Sequence, residues 1–190
     1  MLLTPQFLDA VFSKALPYNK YVATGSEDQQ QRWQQVFDSV ALSVEQEKLL
    51  ETFSRDMNII FVSGVWCGDC IEQGPLLARI AQGSPMIRLR FLDRDAIVEL
   101  TDNLTINSGK RVPVALFMAE DFALCSIYGD RTLSRYRALA QRQFGPSCST
   151  GLFVPDADEL KSTLQDWLGE CERVQLMLRL STRLREKYND

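Results

Sequence analysis

Two cysteines spaced two residues apart carry the clearest chemical signal in this chain. Cys67 and Cys70 lie in the segment WCGDC (66–70), directly after the apolar run 58–62 and before a stretch with helical spacing. If the run is a buried strand and Cys67 starts the helix, free backbone N–H groups and the helix dipole stabilise its thiolate. Such placement lowers a thiol pKa from about 8.5 to between about 3.5 and 7.5. The pattern therefore predicts a redox pair in which Cys67 attacks a disulfide and Cys70 resolves the adduct.

The same two thiols have less reactive interpretations. They could be ordinary buried cysteines, or one half of a four-thiolate zinc site completed elsewhere or between two chains. The remaining cysteines, Cys125, Cys148 and Cys171, form no second pair of this spacing, which favours redox chemistry over metal binding. We expect Cys125 and Cys171 to be small buried hydrophobic groups. Cys148, in the polar loop 145–151, is expected to be a spectator or a modifiable thiol.

The composition is that of an ordinary globular protein, and it excludes several classes of function. The chain has 190 residues, 45% hydrophobic and 24% charged, which suits one sizeable domain with additions. No apolar run approaches the roughly 20 residues of a membrane span. A net charge of -4 disfavours a nucleic-acid partner, and the absence of histidine excludes Ser-His-Asp and Cys-His catalysis. The first nine residues lack the features of a secretory signal, so we expect a cytoplasmic protein without a membrane partner.

Hydrophobic periodicity predicts helices around a small sheet. Two capping boxes, Ser26 with Gln29 and Ser43 with Gln46, predict helix starts. Strands are expected over 58–63, 86–92 and 112–118, the last forming an antiparallel hairpin with 122–128. Further helices are predicted near 7–15, from Cys67 to about Gln82, from Asp95 to about Asn103, from Leu133 to Phe144, from Asp156 to Leu168, and from beyond Gly169 to Tyr188.

Three motifs in register make the chain resemble the thioredoxin superfamily over about residues 43–140. They are Trp-Cys-x-x-Cys after a strand, Pro75 five residues past Cys70, and Val112-Pro113 opening a later strand. The resemblance implies an α/β fold, the thioredoxin-like three-layer α/β/α sandwich, with extra helices at both termini. It also implies a cis bond between Val112 and Pro113 facing the CxxC. Unconstrained X-Pro bonds are mostly trans, so this expectation rests on the likeness alone.

The segments outside that core are predicted to be helical additions. Residues 1–42 form an N-terminal extension packed on the core, 43–140 the thioredoxin-like domain, and 141–190 a C-terminal helical extension. The segments 17–21, 31–33 and 93–95 make the chain similar, more narrowly, to bacterial thioredoxin-like proteins with helical N-terminal extensions. Most proteins of that branch have no assigned substrate.

The resemblance implies a thiol-disulfide oxidoreductase that acts on protein or small-molecule disulfides and takes electrons from a thiol or a reductase. No metal or organic cofactor is implied beyond a redox-active disulfide between Cys67 and Cys70. A redox-inactive protein-binding module with the same fold is the alternative, which the intact CxxC disfavours. Trp66 and Val112 also fit plain packing roles. The predicted substrate-binding residues are Trp66, Gly68, Asp69, Val112 and Pro113.

Two residues depart from the pattern of ordinary thioredoxins. Asp69 stands where a proline usually separates the cysteines, and Phe61 stands where thioredoxins have a buried acid below them. Phe61 cannot accept a proton from the resolving cysteine, so water or another carboxylate must do so, and Asp69 is the nearest. An acidic side chain beside a thiolate raises the thiol pKa, against the helix dipole. The sequence leaves the net direction open.

Overall fold

A four-stranded sheet with helices packed around it makes up the described part of the chain. The structure, a computed structural model, describes residues 3–144 and 158–189. The strands are β1 (Met57–Ser63), β2 (Ile87–Asp93), β3 (Val114–Met118) and β4 (Leu124–Gly129). The helices are α1 (Pro5–Lys14), α2 (Tyr18–Val22), α3 (Glu27–Asp38), α4 (Val44–Glu51), α5 (Gly68–Gln82), α6 (Val98–Thr101), α7 (Leu133–Phe144), α8 (Glu159–Arg179) and α9 (Thr182–Tyr188). None of the helices in these two ranges is long and apolar enough to cross a membrane.

The sheet has the strand order β2-β1-β3-β4, with β1 parallel to β2 and antiparallel to β3. All seven residues of β1 are buried, because helices cover both faces of this inner strand. The crossover from β1 to the parallel β2 runs through α5. This connection places the segment 64–67 and the start of α5 at the edge where β1 ends. The predicted α/β fold and the antiparallel β3–β4 hairpin are confirmed.

Both predicted capping boxes are present. The Ser26 side chain accepts the Gln29 N–H at the start of α3, and the Gln29 side chain accepts the Ser26 N–H in return. Ser43 and Gln46 make the same reciprocal pair at the start of α4. Each pair satisfies backbone donors that a helix start would otherwise leave without partners.

Other helix predictions were wrong in their boundaries. Asp95 does not start a helix, because its N–H donates to the Asp93 side chain in a turn, and α6 begins three residues later at Val98. The short helix α2 was not predicted. α8 runs straight through Gly169, where the sequence suggested a break. The predicted cap at Asp156 lies outside the described residues.

Trp33 joins the N-terminal helices to the core beneath the cysteines. Its ring is fully buried, with its centroid 5.7 Å from that of Tyr21 and 6.1 Å from that of Phe91. Its indole N–H donates to the carbonyl oxygen of Val65 at 2.9 Å, in the turn directly before the WCGDC segment. Residues before position 42 therefore help to hold the turn that carries the cysteines.

The outer edge of β2 is partly covered by the chain that follows α1. Leu16 and Phe91 form an isolated antiparallel bridge, with N···O distances of 2.8 and 2.7 Å in the two directions. Because β2 is an edge strand, this bridge satisfies backbone groups that the edge would otherwise expose.

Gly74 tests how tightly Trp33 packs against α5. A Cβ atom at Gly74 would lie 2.4 Å from Cζ3 of the buried Trp33 ring, which has no room to move. We expect Gly74→Ala to lower the free energy of unfolding by about 1–3 kcal/mol, measured by urea denaturation. Gly169→Ala, in the open middle of α8, is the control and should raise it by about 0.5–1 kcal/mol. Equal effects of the two substitutions would contradict this account of the packing.

Candidate functional site

Cys67 lies at the start of α5, where its sulfur meets several hydrogen-bond donors. It is the N-cap residue of the helix, in an extended conformation, and it is half-buried. The hydrogen bond from the Cys70 thiol is the largest influence on its pKa; burial opposes it, and the backbone N–H groups of Cys70 and Asp69 reinforce it. The net effect lowers the pKa of Cys67 to about 6. At neutral pH the sulfur is therefore mostly a thiolate, the nucleophilic form.

Cys70 has the opposite character. Its side chain is fully buried, and desolvation, followed by the proximity of Cys67, raises its pKa well above the ordinary thiol value. The Ser63 side chain and the backbone of Gly64 act in the other direction and are outweighed. Cys67 is thus an acidic, half-buried thiol, and Cys70 is a neutral, buried thiol.

The bond between Val112 and Pro113 is cis, as the resemblance implied. Both residues are buried, and the Val112 carbonyl oxygen lies 3.8 Å from the Cys67 sulfur, within reach of a hydrogen bond from the thiol. The loop before β3 therefore forms one wall of the site.

Trp66 and Gly68 form the open side of the site. Trp66 is 50% exposed, and the Arg94 guanidinium lies 4.9 Å from the centroid of its ring, a cation–π contact that orients the indole. Gly68 is exposed, and a Cβ atom built on it would meet nothing within 4 Å. Trp66 and Gly68 are therefore the exposed residues on either side of Cys67 in the chain.

Asp69 is bound by two arginines. Its Oδ2 atom lies 2.6 Å from Arg131 Nη2, and its Oδ1 atom lies 3.2 Å from Arg135 Nε. Arg135 also contacts Glu72 of α5 and Glu159 of α8, so these ion pairs join α5 to α7 and α8. The charge of Asp69 acts to raise the pKa of Cys67 but is outweighed. Both carboxylate oxygens of Asp69 are therefore engaged by arginines.

Several polar residues at the site were not predicted. The sequence could have indicated Ser63, because it lies two residues after Phe61 in a strand and both side chains therefore lie on the same face. Tyr21 lies in a helix of five residues, too short for periodicity to reveal. Arg131 and Arg135 are more than 60 positions from Asp69, and no local pattern links them.

The other cysteines lie away from this pair. Cys171 is fully buried in α8, and its pKa is raised by burial. Cys125 is half-buried in β4, and desolvation raises its pKa too. Cys148 lies outside the described residues. Across 3–144 and 158–189, no three cysteine, aspartate or glutamate side chains group together in a way that could hold a metal ion.

The family follows from a sequence match over most of this fold. Residues 15–140 match the model of the family described as Thioredoxin. The chain belongs to the thioredoxin superfamily. The matched region of this thioredoxin-superfamily chain starts before Leu16 and so includes α2 and α3 as well as the sheet.

Two solved structures share the thioredoxin-like fold of the chain. One is the crystal structure of a protein of unknown function from Pseudomonas aeruginosa, 19% identical, with a TM-score of 0.67, covering 86% of this chain and 95% of that one. The other is an HIV epitope scaffold, 18% identical, with a TM-score of 0.66 and coverages of 87% and 97%. At such identities the likeness concerns the fold alone. No curated protein matches the chain in sequence.

The hydrogen bond between the two thiols can be tested by titrating Cys67. We expect its alkylation by iodoacetamide, followed by mass spectrometry of the 66–70 peptide, to have a midpoint at about pH 6. Cys70→Ala removes the donor and should move the midpoint upward, whereas Cys70→Ser keeps a hydroxyl donor and should move it less. An unchanged midpoint in Cys70→Ala would contradict the assigned cause.

The arginine pairing of Asp69 predicts opposite effects of two substitutions. Asp69→Asn removes a negative charge and should lower the pKa of Cys67, while Arg131→Gln leaves Asp69 less neutralised and should raise it. The same alkylation titration measures both variants. Shifts of the same sign would show that Asp69 and Arg131 do not act on Cys67 as a pair.

Proposed function

We propose that the chain is a thiol-disulfide oxidoreductase that reduces or exchanges disulfides through Cys67 and Cys70. The supporting observation is the unequal pair of thiols: a half-buried Cys67 with a pKa of about 6 beside a buried Cys70 whose pKa is raised. The attacking sulfur of such a reaction must be a thiolate and accessible. The resolving sulfur must stay protonated until the mixed disulfide has formed.

The proposed reaction has two displacement steps. The Cys67 thiolate attacks a substrate disulfide, forms a mixed disulfide with one half and releases the other half, which takes up a proton as a thiol. Cys70 then loses its proton and attacks the Cys67 sulfur, forming the Cys67–Cys70 disulfide and releasing the second substrate thiol. Two electrons pass from the dithiol to the substrate, and a reductase or a small thiol restores the dithiol.

The residues around Cys67 suit a groove for the substrate. We propose that the substrate contacts Trp66 and Gly68, since both residues are exposed and flank Cys67 in the chain. The backbone at Val112 and Pro113 forms the opposite wall and offers polar groups to an extended segment. We assign Asp69 a tuning role through its charge.

The proposed reaction needs no metal or organic cofactor, because the electrons reside in the cysteine pair itself. It needs a supply of reducing equivalents, which the cytoplasm maintains through its thiol systems. We therefore keep the cytoplasm as the proposed compartment.

Turnover and trapping test the proposal directly. We expect the wild type to accelerate the dithiothreitol-driven reduction of an oxidised protein, and Cys67→Ser to show no rate above the uncatalysed reaction. Cys70→Ser should accumulate a mixed disulfide at Cys67 that mass spectrometry detects, because the second displacement is lost. Cys125→Ser, outside the pair, is the control and should keep wild-type activity.

Two results would overturn this function. They are a wild type without thiol-dependent turnover and a Cys70→Ser variant without a trapped adduct. The protein-binding module would then be the better interpretation of the fold.

A further inference from the structure

Asp130 is a buried carboxylate beside the site, and the proposed reaction gives it no role. It directly follows β4 and is 3% exposed. Its Oδ2 atom lies 3.3 Å from Arg111 Nη1 and 3.6 Å from Arg131 Nη1, and its Oδ1 atom accepts a hydrogen bond from the Tyr136 hydroxyl. A buried ion pair is often no more stable than apolar side chains of the same size, so stability alone does not explain this carboxylate.

Two separate links join Asp130 to the CxxC segment. The side-chain amide of Gln73, which is fully buried in α5, lies 3.1 Å from the Asp130 carbonyl oxygen and 3.3 Å from that of Asp69. Arg131 makes the second link, because its guanidinium contacts the Asp130 side chain and lies 2.6 Å from that of Asp69. The backbone and the side chain of Asp130 are thus each joined, through one intermediate residue, to the residue between the two cysteines.

Asp130 is also joined to the opposite wall of the site. Arg111, whose side chain is 41% exposed, directly precedes Val112, and the Val112 carbonyl oxygen lies 3.8 Å from the nucleophilic sulfur. Gly129 directly precedes Asp130, and a Cβ atom built on Gly129 would lie 2.4 Å from the Pro113 carbonyl oxygen. The end of β4 therefore packs directly against this wall, and Asp130 links the two sides of the proposed substrate groove.

We propose that Asp130 is a positioning residue for polypeptide substrates, because it holds the Val112–Pro113 wall in place opposite Cys67. An extended polypeptide segment binds such a wall through hydrogen bonds to its backbone groups. The substrate class is therefore disulfides within polypeptide segments, in preference to small disulfides. This inference rests on the proposed function, because it names the substrates of that same site.

A displaced wall affects the two kinds of disulfide differently. Backbone hydrogen bonds need N···O distances of about 2.7–3.2 Å, so a shift of about 1 Å removes them. A small disulfide has no flanking segment to make these bonds, and its reduction depends on the Cys67 thiolate alone. The loss of Asp130 should therefore weaken the binding of polypeptide disulfides selectively.

Two probes that differ only in their flanking chain test this selectivity. Each is a mixed disulfide of the coloured leaving group thionitrobenzoate, with a capped single cysteine in one probe and with the same cysteine in the middle of a short peptide in the other. The reduced full-length protein, carrying Cys125→Ala and Cys148→Ala, reacts with each probe in a single turnover at mildly alkaline pH, where Cys67 is ionised. The release of thionitrobenzoate against probe concentration gives a maximal rate and a half-saturating concentration. We expect the wild type to reach half-saturation at a lower concentration of the peptide probe than of the single-cysteine probe.

The variants should affect the peptide probe alone. We expect Asp130→Asn to raise its half-saturating concentration by about tenfold and to keep the maximal rate within about twofold of the wild type. Arg111→Gln, which removes the exposed partner, should act in the same direction. The double variant Asp130→Asn/Arg111→Gln should be no weaker than the weaker single variant, because the two residues act as a pair. The rate with the single-cysteine probe should stay within about twofold of the wild type in all three variants.

Glu120→Gln is the matched control. Glu120 lies in the turn at the other end of the β3–β4 hairpin, and its Oε1 atom lies 2.8 Å from Nη1 of the buried Arg55. This variant removes a similar ion pair from the same hairpin, away from the cysteines. It should lower the free energy of unfolding, measured by urea denaturation, and leave both half-saturating concentrations unchanged.

The outcomes separate this role of Asp130 from the function on which it rests. An unchanged half-saturating concentration of the peptide probe in Asp130→Asn or in Arg111→Gln would overturn the positioning role, as would equal losses with both probes. If Asp130→Asn does not fold, Arg111→Gln decides the question alone. A wild type that binds the two probes equally would overturn the substrate class. A wild type that reacts with neither probe would instead overturn the proposed function itself.

Discussion

The hydrogen bond from the Trp33 indole to the Val65 carbonyl oxygen is the contact on which this arrangement depends. It spans 32 positions of sequence and joins the N-terminal helices to the turn between β1 and α5. A buried carbonyl oxygen without this partner would be costly, and the bulky ring that supplies the donor also fills the space above Gly74. The position of the cysteines is thus set partly by residues far outside the CxxC segment.

Different interactions set the charge on the two sulfurs of the site. The start of α5 and the Cys70 thiol stabilise the negative charge on Cys67, while burial keeps Cys70 neutral. Asp69, which lies between the two cysteines in the sequence, carries a negative charge that forms ion pairs with Arg131 and Arg135. An aspartate between the two cysteines is therefore compatible with a low pKa of Cys67. Its charge is paired with arginines from a distant part of the chain.

Local signals accounted for the parts of the fold that were predicted correctly. The capping boxes at Ser26 and Ser43 and the helix start at Cys67 each depend on residues within a few positions, so the sequence alone reveals them. The start at Asp95 failed because the Asp93 side chain captured the Asp95 N–H in a competing turn. The cis bond at Pro113 was expected from family likeness, since nothing local distinguishes it from a trans bond.

Tertiary packing decided the features that local patterns missed. α8 continues through Gly169 because Trp167 and Cys171 on either side are fully buried, and their burial outweighs the weak helix propensity of glycine. The environment of Asp69 required knowing which arginines the fold brings to it. The sequence therefore reveals the CxxC motif, whereas the ion pairs of Asp69 depend on contacts that form only in the folded chain.

The bridge between Leu16 and Phe91 shows what a shortened form of this protein would lose. A thioredoxin-like core that began near residue 43 would leave the β2 edge bare and the pocket filled by Trp33 empty. Such a chain would be prone to pair with the strands of its neighbours and to aggregate. The core therefore relies on the additional helices, which are not a separate module. The N-terminal segment is thus an integral part of the fold, and its sequence is constrained by the sheet it borders.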